Sequence, residues 1–170
     1  DVLRPYVAGN HQGVQRALGL AMCDKHWDRP RSPEYVEGRR LLETACANPK
    51  TDAETLSLLA EVWREKDKGK AREIFRRAAA IDPGEPFTLC RYLEFEVDHH
   101  SSFQVVSLAA PMIRGAMERC RMQIEGRVNL PRAWACLGLF HLLLGEPFDA
   151  LAAVAQVIRL CPARTDASNP

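Results

Sequence analysis

The chain has 170 residues, with 23 Lys and Arg against 22 Asp and Glu, so its formal charge is +1. A hydrophobic content of 46% supplies a sizeable core at this length and excludes intrinsic disorder. The near-neutral charge removes the electrostatic case for non-specific binding to nucleic acid or to anionic lipid. With 22 alanines and 19 leucines against 5 isoleucines and 5 threonines, the composition favours helix over strand, because β-branched side chains lose rotamer freedom in a helix. Pro30, Pro33, Pro49, Pro83, Pro86, Pro131, Pro147 and Pro162 fall between apolar-periodic blocks, where a missing N–H costs least. Helices are therefore predicted near 11–24, 34–47, 52–65, 69–81, 87–98, 102–125, 132–144 and 147–160. The sixth contains Pro111 and is expected to kink or split there. The most apolar run, Ala133 to Leu144, is interrupted by Gly138 and His141 and is too short to cross a membrane. Six scattered cysteines, Cys23, Cys46, Cys90, Cys120, Cys136 and Cys161, read as small buried apolar side chains in a reducing cytoplasm.

The blocks carry apolar stripes at helical spacing, as Ala71, Ile74, Phe75 and Ala78 do in the fourth. Joins of a few residues predict antiparallel pairs stacked on one another. In the last pair, Trp134, Leu137, Gly138, His141, Gly145, Ala150, Val154, Val157 and Pro162 follow one helix-turn-helix spacing. An upstream copy runs through Leu56, Leu59, Ala60, Trp63, Ala71, Phe75, Ala78 and Pro83, and a weaker one through Leu18, Gly19, Met22, Gly38, Leu42, Ala45 and Pro49. This spacing resembles the tetratricopeptide repeat, with His141 standing where that pattern usually has Tyr. The resemblance implies an all-α fold of antiparallel helix pairs stacked into a right-handed superhelix, an α-solenoid. It implies one domain of about four pairs over 1–164, followed by a polar linker or tail at 165–170, within a larger polypeptide. Gly138 and Ala150 are expected to let paired helices approach closely. The segment Ala71 to Ala78, with Leu89, Tyr92, Phe95 and Glu96, also resembles the half-a-tetratricopeptide variant of RNA-processing scaffolds.

Chemistry-bearing constellations are sparse. Asp98, His99 and His100 could together hold a divalent metal or perform acid-base work, although a helix C-terminus favours histidine for its dipole alone. Cys23, Asp24, His26 and Asp28 lack the second half that a zinc site needs. Between Arg64 and Arg77, seven basic residues face three acidic ones, a charge of +4, but aromatics are not interleaved with the basic residues as a single-strand nucleic-acid platform would require.

The resemblance implies binding rather than catalysis: a scaffold or regulatory module that takes a peptide or partner helix in a concave groove, without cofactor, metal, nucleic acid or membrane. Its groove positions would be Glu54, Ser57, Glu61 and Arg64 in one repeat, and Arg132, Ala135, Leu139 and Leu142 in another. Ser57 with Glu61, and Ala135 with Leu139, stand where chaperone-binding members carry a Lys and Asn carboxylate clamp. No such clamp is expected. Leu139, Leu142 and Leu143 equally suit burial against a further helix. The alternatives are a half-a-tetratricopeptide RNA-processing scaffold and a small metal-dependent enzyme using Asp98, His99 and His100.

Overall fold

The computed structural model describes residues 11–100 and 104–161, the side chain of His100 excepted. Among them are eight α-helices and no strand: α1 Gln12–Lys25, α2 Pro33–Cys46, α3 Ala53–Arg64, α4 Lys68–Ile81, α5 Pro86–His100, α6 Gln104–Glu125, α7 Leu130–Leu143 and α8 Pro147–Leu160. Each lies within two residues of its predicted block. Pro162 and the tail expected over 165–170 fall outside the described residues. No helix among the described residues is long and apolar enough to cross a membrane.

Local signals set the helix starts. The side chains of Ser32, Asp52 and Asp67 accept hydrogen bonds from the backbone N–H groups of Tyr35, Thr55 and Lys70, which would otherwise lack intrahelical partners. Glu85 does the same for α5, accepting from the N–H of Phe87 at 3.1 Å and of Thr88 at 2.6 Å. Pro111 neither splits nor ends α6, which runs as one 22-residue helix. Its buried stripe, Val106, Ala109, Ile113, Ala116, Met117 and Cys120, continues on both sides of the proline, and Pro111 itself faces solvent. Packing of that stripe outweighs the loss of one hydrogen bond.

The helices fall into two compact units, divided between Asp82 and Pro83. In the first, α1 packs on α2 and α3 on α4, while α3 also touches α2 and α1. The α1–α2 pair is antiparallel, because Gln12 reaches Ala45, Gly19 meets Gly38 and Cys23 reaches Tyr35. Leu42, Leu56, Ala60, Ala71, Phe75 and Ala78 are buried in this unit. In the second unit, α5 packs on α6 and α7 on α8, while α7 also touches α6 and α5, which is the same wiring. Its core is built on Leu93, Ile113, Ala116, Cys120 and Phe140, all fully buried.

The backbones of α1 and α2 approach closely at a pair of glycines. A Cβ on Gly38 would lie 2.8 Å from both the Gly19 carbonyl oxygen and Met22 Cβ, and one on Gly19 would lie 2.7 Å from the Gly38 oxygen. Gly138, expected to play this part between α7 and α8, is buried but less constrained: a Cβ there would meet Ala153 Cβ at 3.4 Å, an ordinary contact. Five of the six cysteines are buried, and burial pushes the thiols of Cys23 and Cys46 up to about 11 and that of Cys120 to about 12. Cys161, expected to be buried like the other five, is instead exposed at the end of α8, beyond that helix's last buried position.

Candidate functional site

The first set of groove positions lies on α3, in the first unit. Glu54 accepts a hydrogen bond from the Arg16 guanidinium at 2.6 Å, and Arg64 lies 3.4 Å from Glu61 one turn away. Ser57 corrects the expectation of a groove side chain. It is fully buried and donates its hydroxyl to the Ala53 carbonyl at 3.1 Å, and this bond to its own helix allows a polar side chain to enter the core.

A pocket forms in the second unit, where α5 faces α7. Glu85 fixes the start of α5, so Phe87, Cys90, Arg91 and Glu94 follow on one face at three- and four-residue spacing. Before α7 the chain turns through Asn129 in the left-handed region, at φ 49°, and Pro131 lies in the first helical turn, so that Arg132, Ala135, Cys136 and Leu139 face α5. Together these side chains line a cavity of about 340 Å³. The Arg132 guanidinium stands 4.2 Å from the Phe87 ring centroid and that of Arg91 5.3 Å from it, while Arg91 also lies 3.2 Å from Glu94. The lining carries two cations and one carboxylate. Arg132 sits in the first turn of α7, a turn with no acidic residue of its own, where a cation opposes the helix dipole. That placement adds to a field that attracts anions. At the pocket floor, the Cys90 thiol points to the Cys136 carbonyl at 3.7 Å, and burial pushes Cys90 up, so it stays a neutral thiol rather than a nucleophile.

Three of the α7 positions expected from the repeat pattern, Arg132, Ala135 and Leu139, line this pocket. Leu139 and Leu143 also pack on the unit's core, whereas Leu142 is 59% exposed and does not line the cavity. The α5 side, with Phe87, Cys90, Arg91 and Glu94, was not anticipated. These residues share one helix face, but no local signal says that this face meets α7.

The other candidates assemble differently. His99 donates Nδ1–H to the Phe95 carbonyl at 2.9 Å and stacks on the Phe95 ring at 4.3 Å, within its own helix, while Asp98 is exposed. The His100 side chain is outside the described residues. Cys23 is buried and donates to the Tyr35 carbonyl at 3.8 Å. Among the described residues, the one group of His, Cys, Asp and Glu whose ligand atoms lie within 4.8 Å of one another is His141, Glu146 and Asp149, around the α7–α8 turn. There His141 Nδ1–H donates to the Glu146 carboxylate at 2.6 Å, so the pair satisfies itself without an ion. Within the basic run, Lys70 lies 3.6 Å from the Trp63 ring centroid and 3.5 Å from Glu43, and Arg39 stands 4.7 Å from the same ring. Compared with known proteins, the chain matches no family model, no curated protein and no solved structure.

Proposed function

We propose that this chain is a tetratricopeptide-like, non-catalytic interaction module of the cytoplasm that holds a short segment of a partner protein between α5 and α7. One observation carries the reading: the α7 positions that the repeat pattern assigns to a ligand groove, Arg132, Ala135 and Leu139, line the α5–α7 cavity. Its volume of about 340 Å³ lies at the lower end of ligand-sized pockets. The lining suits binding. Two guanidinium groups, an aromatic ring and an aliphatic wall surround one carboxylate, and the sulfur at the floor is a buried neutral thiol. The segment that fits carries an acidic side chain for Arg91 and Arg132 beside an aliphatic one for Ala135 and Leu139. Buried, unpaired thiols in both units accord with a reducing compartment.

Panning a random-peptide phage library on the intact protein tests this. The expected result is an enriched acidic-aliphatic motif whose binding is lost in Leu139→Arg and Arg132→Glu and kept in Leu142→Arg. Enriched peptides that bind Leu139→Arg as well as the unaltered chain would contradict it.

A further inference from the structure

We infer that Cys90 and Cys136 form an oxidation site, which hydrogen peroxide joins into a disulfide tying α5 to α7 across the floor of their cavity. Both thiols are unpaired, and both line that cavity. The Cys90 thiol reaches the Cys136 carbonyl at 3.7 Å, across 46 residues of chain, and it also bonds to the Cys136 side chain. A disulfide needs Cβ atoms about 3.5–4.5 Å apart, each on a side chain aimed at the other. A sulfur already against the backbone and the thiol of the opposite residue meets that need with a side-chain rotation and a small approach of the helices. Cys120 belongs to the same core but does not line the cavity.

The two thiols are not equivalent. The bond from Cys90 holds the Cys136 thiol below its ordinary value, although burial and Glu85 push the other way, and Arg132 and Arg91 add to the lowering. Cys136 therefore reacts first. Its thiolate attacks one peroxide oxygen, the O–O bond breaks, and Cys136 becomes a sulfenic acid as hydroxide leaves. Cys90, neutral at rest, then attacks that sulfur: the S–S bond forms, the S–O bond breaks, and the Cys90 proton departs with the hydroxyl as water. Two thiols and one peroxide give one disulfide and two waters. Cys90 and Cys136 are 4% and 5% exposed, an opening that passes hydrogen peroxide but not a maleimide ring. In a reducing compartment such a link is transient and sensing rather than structural. Phe87 and Glu94 lie on either side of Cys90 along α5, and Arg132 and Leu139 on either side of Cys136 along α7. Sulfurs joined at about 2 Å hold these side chains against one another. If the cavity receives a ligand as proposed above, oxidation closes it.

Mass spectrometry of the full chain after hydrogen peroxide tests the pair without any ligand, on a Cys161→Ser background that removes the exposed thiol. The expected product has lost two hydrogens, regains them with dithiothreitol, and on tryptic digestion joins residues 78–91 to 133–159. Cys90→Ala should stop the link and leave Cys136 as a sulfenic acid that dimedone traps, whereas Cys120→Ala should leave the link intact; circular dichroism confirms that both variants stay helical. A folded chain that loses no hydrogens, a link that runs through Cys120, or a link that forms only in urea overturns the proposal. The peptide selected by panning gives a separate reading. Its binding should be lost on oxidation and recovered with dithiothreitol, and equal binding by the two forms overturns the closure. A reduced chain that binds no peptide sinks the groove alone, since the disulfide is decided by the masses.

Discussion

The thiols of this chain act as small apolar side chains, and their surroundings make that testable. Burial raises Cys23 and Cys46 to about 11 and Cys120 to about 12, whereas Cys161 lies exposed at the end of α8. A thiol reacts as its thiolate and only where reagent can reach it. One equivalent of maleimide should therefore react promptly at Cys161 in the native protein, with the other five thiols labelled only on unfolding; mass spectrometry of digested samples separates the two. Asp52 bears on pH. Burial pushes its carboxyl up, but bonds from the Thr55 side chain and backbone, together with the Arg16 charge, outweigh this and hold it below the usual carboxylate range. A carboxyl lowered by folding contributes stability that is present above its unfolded value and is lost as pH falls through the folded one. The melting temperature should accordingly drop on acidification below the ordinary carboxylate range. Asp52→Asn, which keeps the helix cap, should flatten part of that drop.

At the level of the helices, most of the structure was legible in the sequence. Prolines and apolar stripes located each of the eight described helices within two residues, because start signals such as Ser32 with Pro33 and Asp52 act locally. What could not be read was which glycine sits at a backbone contact, since that depends on how two helices cross. The repeat pattern pointed to Gly138, but the tight crossing is at Gly19 and Gly38. Gly38→Ala should cost about 1–3 kcal/mol, because backbone and a neighbouring Cβ must move. Gly138→Ala should change stability by about 1 kcal/mol or less, its Cβ meeting only ordinary contacts while helix propensity improves. Urea unfolding of the two variants beside the parent measures both. Pro111 shows the same limit: a proline predicts a break, but a buried stripe continuous through it keeps α6 whole.

Within each unit the helix wiring is the same, pair on pair with the second pair's first helix touching both helices before it, and self-similar spacing in the sequence anticipated this. The candidate site was only half legible. The α7 side followed from the repeat pattern, whereas the α5 side needed the pairing of α5 with α7, which no local signal encodes, and Ser57 belonged to the core because its hydroxyl bonds its own helix. The claim on which the functional account rests is that α5 and α7 together receive a ligand. The most direct measurement titrates the peptide selected by panning into methyl-labelled protein and follows the NMR shifts. The account predicts saturable changes concentrated at the Ala135 and Leu139 methyls and abolished by Arg132→Glu. Saturable binding whose largest shifts fall outside α5 and α7 would contradict it.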